Sequence, residues 1–276
     1  MTCGNAQQEF GRTSGGEAAG SGGDGAFCFS LQLAQAVVVY FLWRCTMKEL
    51  ENALVVEFPL RGEWQVPTTP GKMIPSHGTD QLGQRYAFDF VQVNWARKDK
   101  SFADSTMLRY LTIGVPLEKC YGYGREIYAP LGGRILQAQD GYHERSNLHL
   151  IRDLLLVLKS ALTYNPHKTS LQMLLGNNVI MQCDEHVFAM FAHLKTGSVA
   201  VAVGEQVERG ALLGRVGHSG NSTAPHLHFQ LMDSSDLLVA KGIPCLFAAY
   251  EVFTEGKWEQ RHNAVPTDKD RVRFLG

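Results

Sequence analysis

The six cysteines of this chain (Cys3, Cys28, Cys45, Cys120, Cys183 and Cys245) include no Cys-x-x-Cys pair. That argues against a cysteine-based zinc site and supplies no disulfide framework, so the thiols read as free. Charge imbalance is also missing. The formal net charge is −1, which gives no electrostatic ground for a nucleic-acid partner. Parallel βαβ units are absent, which argues against an α/β fold. Shortly before the apolar stretch Ala26 to Cys45 stand Glu17 and Asp24, where a secretion signal would carry positive charge. That stretch is about as long as a minimal membrane helix, but Gln32 and Gln35 interrupt it, and Arg44 and Lys48 follow. Were it to span, the positive-inside rule would place the body within the cell.

What is present is an ordinary globular composition, 45% hydrophobic and 19% charged, with 28 glycines. So much glycine favours a turn-rich β fold over a helical bundle. "TSGGEAAGSGGDG" (Thr13 to Gly25) cannot bury enough surface to fold alone. From about Leu54 the pattern turns to β. "RYAFDFVQV" alternates around Asp89, and "EIYAPLGGRILQAQDG" reads as strand, glycine turn, strand. "NNVIMQC", "HVFAMFAHL", "ALLGRVG" and "HLHFQLM" are further short strands, and "AKGIPCLFAAYEVFTEGKWEQ" a last pair. "HLIRDLLLVLKSAL" has helical spacing and predicts one amphipathic helix in an insertion at about 143–175. The expected organisation is an extension over 1–46, a β domain over 47–265 and a loose charged tail over 266–276.

Chemistry concentrates in "GNSTAPHLHFQLMD". In a strand, residues i and i+2 share a face, so His226 and His228 project together. Neutral imidazole ligates zinc and titrates near neutrality, so one histidine can hold metal while its neighbour moves protons. Two ordinary strand histidines remain the plain alternative.

The surroundings decide between them. "FAHL", "VGEQVERGALLGRVG" and "GHSGNSTAPHLHFQL" strongly resemble the C-terminal half of the lysostaphin-type (LytM-like) zinc metallopeptidases, which cut peptide bonds in peptidoglycan. "GNNVIM" and "EIYAPLGGRILQAQDG" match earlier parts of that family, and the likeness runs from about Ile74 to Met232. The resemblance implies a mainly β fold with an open antiparallel β-sheet groove, one Zn2+ ion and a peptide or peptidoglycan substrate. It implies His228 as a metal ligand, with His226 and His193 as catalytic imidazoles. Asp89 fits the family's aspartate. The family's partner histidine normally stands four residues earlier, where this chain has Arg85, which cannot ligate a cation. His77, twelve residues before Asp89 in a glycine-containing loop, is the expected third ligand, with Asp80 as a spare carboxylate. His218 is expected exposed on a turn without a role. His143, His149, His167, His186 and His262 read as solvent-facing or satisfied residues. A degenerate, non-catalytic binding domain is the rival reading. A biotinyl or lipoyl carrier, or a sugar phosphotransferase IIA domain, fits less well, because no Met-Lys-Met-like tip lies between the turns and neither explains His-Leu-His beside "GNST".

Met47 opens "MKELENALVVEFPLRGEW", which reads like a natural beginning. Residues 1–46 are therefore expected to be an upstream extension. Mass spectrometry of the native protein should yield no peptide from within 1–46, and finding one would refute this.

Overall fold

The computed structural model describes residues 49–99, 101–163 and 170–274. The extension over 1–46 lies outside them. The first strands are β1 (Leu54–Val56), β2 (Gly62–Thr68), β3 (Phe88–Val91), β4 (Val115–Pro116), β5 (Glu126–Tyr128) and β6 (Gly133–Gln139). Then come β7 (Asn147–Leu148), β8 (Asn177–Asp184), β9 (Val187–Leu194), β10 (Gln206–Val207) and β11 (Leu212–Arg215). The last are β12 (Leu227–Met232), β13 (Gly242–Ile243), β14 (Cys245–Thr254), β15 (Lys257–Ala264) and β16 (Arg271–Phe274). Three α-helices interrupt them: α1 (Met107–Thr112), α2 (Leu150–Thr163) and α3 (Leu171–Leu175).

One 12-stranded sheet runs β1-β14-β16-β2-β3-β12-β9-β8-β6-β10, with β13 on β12 and β15 on β14. Its ladders are antiparallel except β1 with β14. The expected mainly β, antiparallel class is the class observed. Period-two alternation explains the central strands. Phe88 and Phe90 on β3, and Leu227 and Phe229 on β12, are fully buried on one face. There they meet Phe58, Phe191 and Phe247, with ring centroids 4.9–5.3 Å apart for Phe58–Phe247, Phe58–Phe90 and Phe191–Phe229. Each such burial stabilises by roughly 1.5–3 kcal/mol. The opposite face of β3 and β12 carries Asp89 and His228, and there the site is built.

Two expectations need correction. The tail is not loose: Pro266 is stitched by its carbonyl to the Thr69 hydroxyl at 2.7 Å, and β16 lies between β14 and β2. Its charges are cross-strand partners rather than solvated ones, Arg271 on Glu63 at 2.6 Å and Arg273 on Glu251 at 2.5 Å, flanking a fully buried Val272. The insertion does hold a long helix, α2, but its apolar stripe faces outward. Ile151, Leu154, Leu155 and Leu158 are 53%, 59%, 58% and 52% exposed, while Asp153 is 1% exposed. The insertion docks on a second element that periodicity did not flag. Here β7 pairs with β4, and Leu148 joins Ala103, Tyr110, Val115, Leu117 and Cys120 in a separate small core. No helix among the described residues is long and apolar enough to cross a membrane.

Val272→Ala removes two buried methyl groups from β16 and should cost about 2 kcal/mol in urea unfolding. A cost within about 0.5 kcal/mol, the range of surface substitutions, would mean that β16 is not part of the cooperative sheet.

Candidate metal and catalytic site

Asp89 on β3 and His228 on β12 are direct cross-strand partners. Their side chains therefore leave the sheet together, and His228 Nδ1 lies 2.9 Å from Asp89 Oδ1. His77 arrives from the loop before β3, with Nε2 3.1 Å from Asp89 Oδ2. The twelve-residue separation closes because the intervening chain folds back on itself. Ser76 N donates to Arg85 O at 2.9 Å, and the Ser76 hydroxyl donates to Gln84 O at 3.2 Å. The reversal needs two successive left-handed residues, Leu82 (φ 58°) and Gly83 (φ 74°). A Cβ on Gly83 would stand 2.8 Å from Gln230 Nε2 and 3.2 Å from Met232 Cβ, so the position requires glycine on two grounds.

The ligand-type atoms of His77, Asp89 and His228 lie within 4.8 Å of one another. Arg85 is turned away from them, its guanidinium held by Glu49 at 2.9 Å and Asp80 at 2.6 Å. Asp80, the spare carboxylate, is thus engaged outside the trio.

Hydrogen bonds behind the site fix which nitrogen of each imidazole faces in. Gln230 Nε2 donates to Leu82 O at 2.8 Å, so its Oε1 accepts from His228 Nε2–H at 3.0 Å. The Ser76 proton goes to Gln84 O, so His77 Nδ1–H donates to Ser76 Oγ at 3.2 Å. Both inward nitrogens are left bare against an anionic carboxylate. Three acceptor groups so close repel one another unless a proton or a metal cation lies among them, and that is the chemistry of a metal-binding donor set. Where protons rather than a metal lie between the rings and the carboxylate, burial acts to raise the Asp89 carboxyl, but the His226 charge and the bonds then donated by His228 and His77 outweigh it and hold it well below its usual range. In that protonated arrangement burial acts to lower His228, and its bond to Asp89 outweighs that and raises it.

His226 precedes β12, where it bridges Gly217, and His193 ends β9. A regular strand would place His193 on the face of Phe191, in the core. Instead, the ladder slips register between Asn177 and Val179, and His193 adopts φ 63°. Its ring then stands 4.7 Å from that of His226 and 6.0 Å from that of His228, centroid to centroid. His193 Nδ1–H donates to Ser219 O at 2.9 Å, and His226 Nδ1–H to Ala224 O at 2.7 Å, so each leaves Nε2 bare. Burial first, then neighbouring imidazole charge, pushes His193 well below its ordinary value. Burial also lowers His226, against the raising pull of Asp89, whose Oδ1 lies 3.7 Å from His226 Nε2.

All five sequence-predicted residues line one cavity of about 290 Å³, whose wall includes Leu174 and Leu175 of α3. The insertion therefore does wall the groove. His218 is a correction: it is fully buried, not exposed, and is held by Arg145 and Ser222. His143 and His262 are exposed, as is His186, while His149 Nε2 donates to Thr112 O at 3.0 Å. His167 lies outside the described residues. The sequence did not reveal Ser76 and Gln230, although Gln230 stands at i+2 from His228 and so had to share its face.

Residues 166–239 match the sequence profile described as Peptidase family M23. Among solved structures, the chain is similar to the catalytic domain of the antimicrobial peptidase lysostaphin from Staphylococcus simulans, at 19% identity over 66% of this chain and 88% of that one (TM-score 0.31). It is similar to the catalytic domain of the prophage-encoded M23 protein EnpA from Enterococcus faecalis, at 16% identity over 66% and 88% (TM-score 0.34). It is also similar to a zinc containing peptidase from Vibrio cholerae, at 16% identity over 65% of this chain and 37% of that one (TM-score 0.33). The chain thus spans less than half of some of the proteins it matches.

Gly83→Ala should lower stability by about 1–3 kcal/mol, combining left-handed strain with the clash at Gln230. Gly78→Ala, with φ 70° and nothing within 4 Å of its Cβ, isolates the strain alone. Equal losses in urea titrations would mean that the contact with Gln230 does not hold the loop.

Proposed function

We propose that this chain, whose residues 166–239 match the profile of peptidase family M23, is a metalloendopeptidase using one Zn2+ ion held by His77, Asp89 and His228. The convergence of two bare imidazole nitrogens on one buried carboxylate, with two further bare imidazoles beside them, carries the reading. Two nitrogens and one carboxylate are the ligand types of catalytic zinc sites, which keep a fourth position for water. When bound, zinc supplies Lewis acidity, lowering the pKa of water and polarising a carbonyl.

The chain's own groups do the rest. Gln230 and Ser76 keep His228 and His77 in the ligating tautomers. His226 accepts the proton released when water adds to the peptide carbonyl, because Asp89 lies 3.7 Å away to stabilise the imidazolium. It returns that proton to the leaving amine, so the C–N bond breaks with no net proton change. His193 stays neutral through burial, and its bare Nε2 accepts a hydrogen bond from the water or from a substrate N–H. Leu174 and Leu175 limit the groove on the side of the insertion. Peptide cross-links of peptidoglycan are the proposed substrate class, on the strength of the family match.

Metal analysis of the purified full chain should find about one zinc per molecule, with loss in His77→Ala and in His228→Ala. His226→Ala should keep zinc and lose about 10²–10⁴-fold in hydrolysis of dye-labelled peptidoglycan sacculi. Full zinc in His77→Ala would remove His77 from the ligand set. Wild-type protein free of zinc, and unaffected in stability by chelator, would favour a non-catalytic binding domain.

A further inference from the structure

We propose that Arg145, supplied by the insertion, is a positioning residue that holds the loop 217–226 and thereby sets the place and tautomer of His226. The proposal rests on the peptidase reading only for its kinetic consequence. Its structural part stands on geometry.

The Arg145 guanidinium grips the loop at three points. Nη2 donates to Ser222 O at 2.7 Å and to His218 Nε2 at 2.9 Å, and Nη1 donates to Gly220 O at 3.3 Å. Its remaining nitrogen, Nε, lies 3.3 Å from Asp153 Oδ1 of α2, a charge contact without hydrogen-bond geometry. Asp153 is nearly fully buried and also accepts from His149 N at 2.7 Å and Arg152 Nε at 3.1 Å. The neighbouring Glu144 adds a second tie from the same segment, accepting from His218 N at 2.5 Å and from Thr196 N at 3.1 Å.

A guanidinium has only donors, so the His218 nitrogen facing it must be an acceptor. The His218 proton therefore sits on Nδ1, from which it donates to Ser222 Oγ at 3.0 Å. Ser222 Oγ then spends its own proton on Ala224 O at 2.7 Å. It is left only as an acceptor toward His226 Nδ1, 3.1 Å away. His226 accordingly keeps its proton on Nδ1, shared with Ala224 O, and presents a bare Nε2 to the cavity. Reversing the His218 ring proton would make its Nδ1 an acceptor, draw the Ser222 proton away from Ala224 O and loosen the turn whose carbonyl holds His226 Nδ1–H. Burial and the Arg145 charge push His218 down to about 3, which keeps it neutral across the working range. The insertion is thus part of the catalytic scaffold, and its helix adds the Asp153 charge beside the arginine.

Two measurements on the zinc-loaded full chain test this. Long-range ¹H–¹⁵N spectra of the imidazoles should show His218 and His226 as single Nδ1–H tautomers in wild type. In Arg145→Ala, His218 should show mixed tautomers. Hydrolysis of labelled sacculi by that variant should lose about 100-fold in kcat, the scale of an ångström-level misplacement, with KM and zinc content unchanged. Added guanidinium ion should restore part of it. Arg145→Lys keeps the buried charge beside Asp153 but not the fork, and guards against a folding failure; it should fold and fall between the two. Unchanged tautomers and unchanged kcat in both variants would overturn the proposal. So would parallel loss of zinc, KM and thermal stability without guanidinium rescue, which marks a merely structural role. If wild type hydrolyses nothing, the peptidase reading fails while the spectra still decide the brace.

Discussion

A largely buried carboxylate sets the terms for this site. Asp89 sits in the middle of the large sheet, opposite His228 in the ladder and within reach of His77 and His226. An isolated carboxylate there would cost several kcal/mol of desolvation. The sheet supplies no lysine or arginine to offset it. Three imidazoles do so instead, each able to present either a proton or a lone pair. Their outward nitrogens are committed to Ser76, Gln230 and Ala224 O. What reaches the carboxylate is therefore lone pairs, and the arrangement is stable only with a cation among them. The demand for a cation comes from the hydrogen bonds behind the ligands as much as from the ligands themselves.

Placing the five groups takes backbone that regular strands cannot provide. The Asp89–His228 pair needs nothing beyond ladder register. His77 needs the left-handed pair at Leu82 and Gly83, and His193 needs a left-handed residue where the ladder slips. A non-glycine residue held there costs on the order of 1 kcal/mol or more. The strain persists because the neighbours over-determine it. His193 O accepts from Gly217 N at 3.0 Å while the ring is tied to Ser219 O, so relaxing φ would break both contacts.

What the sequence made legible follows the range of the interaction involved. Alternation in "RYAFDF" and "HLHFQL" is a local signal, and it marked both stretches as strands, on which Asp89 and His228 lie opposite the buried phenylalanines. His77 was reachable by a weaker argument, that a ligand was needed and a glycine-containing loop was nearby. Arg85 at the usual ligand spacing looked like a defect, yet it lies in the 3-10 turn with its side chain on Glu49 and Asp80, and the folded-back loop brings His77 to Asp89 instead. His218 was misread because its burial depends on Arg145, seventy-three residues earlier. The tail was misread for a similar reason: Arg271 and Arg273 are solvated in a sequence and paired across strands in the fold. The outward stripe of α2 has the spacing of a buried one, and no local pattern distinguishes the two.

That inversion in α2 bears on what the insertion is for. A helix docked by hydrophobic burial would turn Ile151, Leu154, Leu155 and Leu158 inward; this one turns Asp153 inward and leaves the leucines out. A buried ion pair adds little net stability, since desolvation offsets most of the attraction. The directional contacts are the arginine's hydrogen bonds to Ser222 O, Gly220 O and His218 Nε2, while Asp153 adds its charge without a hydrogen bond. Apolar contact tolerates sliding, whereas the Arg145 hydrogen bonds to the loop do not. Selection for stability alone would favour leucines facing in. The orientation observed instead gives precision to one loop, and that loop carries His226.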